Sequence, residues 1–281
     1  MAQTVLITGC SSGFGQLAVR TFSANGWNVM ATMRAPEKDT DLRDLPGVAL
    51  VRLDVTDTAS IQAAVTETVQ RFGSIDCLVN NAGYGGHALF EQFDDAAMRA
   101  MFETNVFGPV NTMRAVLPMM RKQGHGTIVN VSSMAGLLGL PGNAFYSASK
   151  FALNGLSEGM ALECEAFGVR VHVVEPGAYP TTRFGANTDN ALDVGDDQVA
   201  GYSRKLRAHI EALGEQMAQQ GGDLADPQEV ADAIYSCATS KDAPIHNPTG
   251  ADARMLDSMI QSAPSRQAFL EQMRTMLLPQ A

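Results

Sequence analysis

Six short runs rich in β-branched and other apolar residues punctuate this chain, and each gives way to a stretch with helical periodicity. They are Val5-Leu6-Ile7, Asn28 through Arg34, Ala49 through Val55, Ile75 through Asn80, Thr127 through Ser133, and Val169 through Glu175. Strands that alternate with helical stretches build βαβ units, because parallel neighbours need a crossover long enough to hold a helix. Such crossovers are right-handed, so the expected architecture is α/β: a doubly wound parallel sheet with helices on both faces. Ligands of these sheets bind beyond the carboxyl ends of the strands. The chemistry of the chain is therefore to be sought in the turns that follow strands.

The first such turn is Thr8-Gly9-Cys10-Ser11-Ser12-Gly13-Phe14-Gly15, between a strand and a helix. Gly9 permits a tight turn, Gly13 lets backbone approach a pyrophosphate, and Gly15 lets the helix sit close to the sheet. The helix start then offers free N–H groups to phosphate. The second strand ends in Met33-Arg34, with no acid where a ribose 2′-hydroxyl would be held. Arg34 suits a 2′-phosphate, which favours NADP(H) over NAD(H). Asp54, at the end of the third strand, faces two compatible roles: acceptor for an adenine amino group, or, with Thr56-Asp57, part of a turn or helix cap. After the fourth strand, Asn81-Ala82-Gly83 is small enough for a close cofactor approach, and its asparagine can brace neighbouring turns.

The catalytic expectation rests on Asn143-Ala144-Phe145-Tyr146-Ser147-Ala148-Ser149-Lys150, read as the start of a helix. Tyr146 and Lys150 stand one turn apart on one face. An ammonium beside a phenol favours phenolate, so the lysine is expected to pull the tyrosine toward neutrality and fit it for proton transfer. Ser133, at the end of the fifth strand, could hold a substrate oxygen beside the phenol, or serve only as a turn former. Asn105 precedes Val106-Phe107-Gly108-Pro109, where proline interrupts a long helical stretch. It could hold a water at the kink or merely cap a helix.

Net charge is −10, which argues against nucleic acid as a partner, since phosphate recognition needs clustered Lys and Arg. No apolar run approaches a membrane span, and the first residues lead into a strand with no signal-peptide pattern, so a cytoplasmic protein is expected. Cys10, Cys77, Cys164 and Cys237 are widely spaced and read as buried reduced thiols; no metal site is expected. His172 alternates with valines and reads as a packed sheet residue. Residues 184–222 break the strand–helix rhythm, acidic at first and amphipathic from about 198, and are read as a helical substrate lid. Its apolar residues Phe184, Leu192, Val194, Tyr202 and Leu206 point to a hydrophobic substrate. Asp226-Pro227 starts another helix, a short edge strand is expected over 246–252, and 254–281 reads as a helical tail with a Met- and Leu-rich face. The whole chain, 1–281, is expected to form a single domain.

Thr8-Gly9-x3-Gly13-x-Gly15, Asn80-Asn81-Ala82-Gly83, Asn105, Ser133, Tyr146-x3-Lys150 and Pro176-Gly177 occur in order, and together the chain resembles the one-domain short-chain dehydrogenase/reductase family over residues 3–183. The resemblance implies a Rossmann sheet and hydride transfer between NADP(H) and a small-molecule alcohol or carbonyl compound. Tyr146 would be the acid/base, Lys150 would lower its pKa and hold the nicotinamide ribose, and Ser133 would orient the substrate oxygen. Asn105 would keep a water in a relay to Lys150. Implied cofactor contacts are Gly9, Ser11, Ser12, Gly13, Phe14, Gly15, Arg34, Asp54, Val55, Asn81, Ala82, Gly83, Tyr146, Lys150, Pro176, Gly177 and Thr181. The runs around Gly13 and Tyr146 look like the 17β-hydroxysteroid and retinol dehydrogenase branch. A homodimer or homotetramer through the two long helices is implied as well. The alternatives are a nonenzymatic NADP-binding redox sensor and an epimerase or dehydratase on the same scaffold.

Overall fold

The computed structural model describes residues 2–182, 189–190, 195–221 and 225–279. In chain order its elements are β1 (Thr4–Ile7), α1 (Gly13–Ala24), β2 (Asn28–Met33), β3 (Val48–Arg52), α2 (Thr58–Phe72), β4 (Cys77–Asn80), β5 (Gly86–His87), α3 (Asp95–Phe102), α4 (Gly108–Gln123), β6 (Gly126–Val131), α5 (Ala144–Cys164), β7 (Val169–Pro176), β8 (Asp189–Asn190), α6 (Asp197–Gly221), α7 (Gln228–Thr239), β9 (His246–Thr249), α8 (Ala251–Ser262) and α9 (Arg266–Leu277). Seven strands form the main sheet in the order β3-β2-β1-β4-β6-β7-β9, and every pairing is parallel. The sequence marks six of them plainly. The seventh, β9, carries Pro248 and lies at the sheet edge, where a missing N–H is tolerated. It ends at Thr249, and the remainder of the expected edge segment turns into α8.

Alternation along each strand divides the core in two. Val5, Ile7, Cys77 and Val79 face one side, where Ala18 and Phe22 of α1 and Val230 and Ile234 of α7 cover them. Leu6, Leu78 and Ile128 face the other, under Ile61 of α2, Met113 and Val116 of α4, and Cys164 of α5. Strands buried on both faces read as continuous apolar runs, which is why they were legible. All four cysteines are free and buried. His172 is buried in β7 with Nδ1 at 2.8 Å from the carbonyl of Pro244.

A polar seam crosses the second layer. Thr112 donates to Asn80 at 2.6 Å, Asn80 to Asn130 at 2.8 Å, and Asn130 to Ser157 at 2.8 Å. Buried polar groups need such partners, and here the chain of bonds ties β4, β6, α4 and α5 at fixed heights.

Part of the expected lid, Phe184, Leu192 and Val194 among it, lies outside the described residues. The remainder includes β8, which pairs with β5, and α6. Leu206 is buried, whereas Tyr202 is exposed. The tail is two helices, α8 and α9. Leu256, Phe269 and Met273 pack with Leu138 of the loop after β6, with Met134 and Leu140 alongside. No described helix is long and apolar enough to cross a membrane.

Candidate active site

The turns after β1 and β4 are locked together by Thr8 and Asn81. The Thr8 hydroxyl accepts the amides of Asn81 and Ala82 at 3.0 and 3.1 Å, and the Asn81 amide donates to the carbonyls of Thr8 and Gly9 at 2.9 and 3.0 Å. Asn81 therefore braces the glycine turn with its side chain. The fit is close: a Cβ on Gly15 would lie 2.4 Å from the Gly9 carbonyl oxygen. Gly13 is the opposite case. It has φ +59°, and a Cβ there would meet nothing within 4 Å, so the space above it is open to a ligand. The first turn of α1 holds no acidic residue, and Ser12 at its N-cap makes no side-chain capping bond. Its leading amides are thus available to an anion.

That open space belongs to a cleft of about 570 Å³ whose lining includes Ser11, Ser12 and Gly13 together with Thr181 and Thr182. Lys38 and Asp39 line it, whereas Arg34 is exposed and does not. The third strand stops at Arg52, so Asp54 sits in the following turn. Its carboxylate accepts from the Thr56 amide at 3.0 Å and hydroxyl at 2.8 Å. The Thr56 amide, then its hydroxyl and the charges of Arg34 and Arg52, hold the Asp54 carboxyl below its usual range. Asp57, not Asp54, caps α2. Val55 is buried against Gly108, so its side chain faces the core. Phe14 meets Tyr179 edge to face, with ring centroids 5.3 Å apart.

Tyr146 and Lys150 both lie in the first two turns of α5, and both are buried. Ser133 follows β6 and accepts the Ala135 amide at 3.1 Å, which fixes its hydroxyl at the start of a short 3₁₀ turn. That hydroxyl also hydrogen-bonds the Tyr146 phenol. Lys150 Nζ donates to the Val131 carbonyl at 3.0 Å and lies 5.7 Å from the centroid of the Tyr146 ring. The expected electrostatics are reversed here. Burial pushes the phenol up to about 12, only partly offset by the Ser133 bond, and burial pulls the amine down to about 8. Desolvation disfavours both charged forms and outweighs the proximity of the pair.

Asn105 stands in a π-helical turn, Glu103–Phe107, between α3 and α4. Pro109 has no N–H to offer the carbonyl four residues earlier, that of Asn105, and the widened turn accommodates this. The Asn105 side chain neither caps a helix nor reaches into the cleft. It donates to the Tyr84 carbonyl at 2.8 Å, accepts the Tyr84 amide at 3.1 Å, and donates to Ser149 at 3.2 Å. Its oxygen and Lys150 Nζ both border Gly83, where a Cβ would lie 3.2 Å from the one and 3.6 Å from the other. The structure thus gathers Ser133, Tyr146, Lys150 and Asn105 beside the Asn81-Ala82-Gly83 turn.

Sequence reasoning missed Lys38, which follows its strand by five residues in a loop of mixed charge, and Asp252, whose carboxylate accepts the Ala178 amide at 2.7 Å from 74 residues away. No local pattern marks either.

The family model of the short chain dehydrogenase matches residues 3–192. The chain is 40% identical over 247 residues to the uncharacterized oxidoreductase YusZ of Bacillus subtilis (strain 168), covering 84% of each protein. It is 37% identical over 260 residues to retinol dehydrogenase 8 of Homo sapiens, covering 88% of this chain and 81% of that one. Among solved structures, a short-chain dehydrogenase from Streptomyces avermitilis superposes with a TM-score of 0.80 at 34% identity, covering 98% of both chains. A short chain dehydrogenase from Burkholderia cenocepacia J2315, in complex with NADP, gives 0.74 at 26% identity, covering 99% and 98%.

Proposed function

Because this chain belongs to the short-chain dehydrogenase family, whose matched relatives are oxidoreductases, we propose that it transfers a hydride between NADP(H) and a secondary alcohol or ketone of hydrophobic character. The observation that carries this reading is the buried Tyr146 phenol hydrogen-bonded to Ser133, with Lys150 one turn along the same helix. Binding alone needs no such acid/base group, and the matched relatives lend no support to a nonenzymatic regulator.

The residues present fit a dinucleotide. The uncapped amides at the start of α1 and the open space over Gly13 suit a pyrophosphate. Lys38 inside the cleft and Arg34 beside it suit a 2′-phosphate. The NADP complex of the Burkholderia relative supports the same choice. When bound, NADPH supplies a hydride to the carbonyl carbon. Tyr146, held protonated by burial, donates its proton to the carbonyl oxygen, which Ser133 positions. Lys150, poised near 8, then returns a proton to the tyrosine side and exchanges with solvent. Asn105 shapes the loop at Tyr84 beside Lys150, where a water relay would run.

We read α6 and the neighbouring segment as the substrate lid. Apolar Met134 and Leu140, packed on the tail helices, favour an apolar substrate beside the site. The protein is proposed to be cytoplasmic. Phe151, Gly155, Gly159 and Leu162, all exposed along α5, suit a homodimer or homotetramer contact, which light scattering would reveal. The deciding experiment is Tyr146→Phe in an NADPH-oxidation screen across steroids, retinoids, aryl ketones and small keto compounds. Turnover is lost while NADPH binding persists. Near-normal turnover of that variant would sink the mechanism.

A further inference from the structure

The turn at the end of β7, Pro176-Gly177-Ala178-Tyr179, is held by residues from far along the chain. The Gly177 amide donates to the Thr249 carbonyl at 2.9 Å. The Ala178 amide donates to Asp252 Oδ2 at 2.7 Å, and Asp252 Oδ1 accepts the Ala253 amide at 2.9 Å. The approach leaves no room for a side chain, since a Cβ on Gly177 would lie 1.8 Å from Asp252 Oδ1. A second tether runs beside it. The Tyr179 hydroxyl donates to Glu229 at 3.2 Å, and the same carboxylate accepts the Gly250 amide at 3.2 Å and pairs with Arg254. Tyr179 in turn packs its ring against Phe14 of the glycine turn. Thr182 closes the segment, with its amide and hydroxyl on the Tyr179 carbonyl at 3.0 and 2.8 Å. Thr181 and Thr182 line the same cleft as Ser12 and Gly13.

We infer that Asp252 is a positioning residue for the cofactor. Through the Ala178 amide it sets the height of the β7 turn, and so the placement of Thr181 and Thr182 in the cleft that takes the dinucleotide. A charge-assisted bond to a backbone amide is short and directional, which suits it to fixing a turn that carries no regular structure of its own. Cofactor grip is thereby tied to α8, an element outside the 3–192 stretch matched by the family model. The inference rests on the reading of the cleft as an NADP(H) site.

The test is an NADPH titration followed by nucleotide fluorescence. Removing a hydrogen bond to a charged group is worth about tenfold or more in affinity where it fixes the binding geometry. Asp252→Ala is expected to weaken NADPH by about that factor, and Asp252→Asn, which keeps one oxygen for the Ala178 amide, to recover most of it. Gly177→Ala forces the turn off Asp252 and is expected to weaken NADPH as well. In that background Asp252→Ala costs little further, because the contact is already broken. These comparisons read binding in folded protein, with the melting temperature of each variant without nucleotide as control. Should Asp252→Ala bind NADPH as tightly as the wild type, or should the two substitutions prove additive, the positioning role is wrong. Should the wild type itself fail to bind NADPH, the dinucleotide reading falls, and this inference falls with it.

Discussion

Lys150 turns its ammonium onto the carbonyl of Val131, 3.0 Å away at the end of β6, with the ring of its helical neighbour Tyr146 centred 5.7 Å from the same nitrogen. A buried amine that titrates near 8 rather than at its ordinary 10.5 is a burden on the fold. Tenfold in proton affinity is about 1.4 kcal/mol, so the burden is on the order of 3 kcal/mol at neutral pH. Between those two values the unfolded chain binds more protons than the folded one, so stability from this group rises with pH there. Lys150→Met is expected to stabilise the protein at pH 7 by about 1–3 kcal/mol, net of the lost bond to Val131, while abolishing turnover. The advantage shrinks toward pH 10.5. Urea denaturation of both forms at neutral and high pH checks this, and a less stable Lys150→Met at pH 7 would contradict it.

Ser133 reaches both the Tyr146 phenol and the Pro176 carbonyl, the latter at 3.5 Å. Its hydroxyl is thus free to re-aim when a carbonyl oxygen arrives. Ser133→Ala removes one donor from the developing alkoxide and is expected to lower kcat by about 10²–10³-fold. NADPH affinity is expected to hold, because the serine is not part of the cleft lining that includes Gly13 and Thr181. A parallel loss of NADPH affinity would assign Ser133 to the cofactor instead.

Lys38 and Arg34 are both exposed, but only Lys38 lines the cleft, so the expected 2′-phosphate contact falls chiefly to Lys38. Lys38→Ala is expected to raise the KM for NADPH about tenfold and to leave NADH nearly unchanged. Arg34→Ala should have the smaller effect of the two. Steady-state kinetics with both nucleotides decide it, and a wild type that prefers NADH would overturn the cofactor assignment.

His246 bridges two carboxylates, with Nδ1 at 2.8 Å from Glu175 and Nε2 at 3.1 Å from Glu158. The bond to buried Glu175 raises the imidazole above its ordinary value of 6.5. A raised histidine contributes stability in full below the unfolded-state value, and loses it as pH climbs through the folded one. The melting temperature of the wild type, relative to His246→Gln, is expected to be highest below the ordinary imidazole value of 6.5 and to lose that advantage as pH rises above it. A difference that grew with pH would mean that the neutral ring, not the cation, makes the bridge.

The sheet and the four clustered residues at its rim could be read from the chain because their signals are local. A strand buried on both faces is a continuous apolar run, and Tyr146 and Lys150 share a helical face by spacing alone. What could not be read depends on partners distant in sequence. Nothing near Asp252 announces the Ala178 amide. The edge strand expected over 246–252 is present as His246–Thr249, but its partner β7 and its early end at Thr249 are set by pairing that no local pattern marks. Nothing near Val55 announces that its side chain packs against Gly108, 53 positions further along the chain. The Tyr146 shift was expected in the wrong direction because the reading counted the nearby cation and not the water excluded around it.

The last partner strand of β7 consists of residues 246–249, so the row that ends in Pro176 is completed only after that distant segment has been made. A nascent chain on the ribosome can assemble the nucleotide half early, yet it keeps the flank of β7 unpaired until then. Long-range parallel pairing is slow, and a bare flank invites pairing with another copy. Loss of the β9 segment would therefore act first on yield and aggregation, before any rate could be assayed.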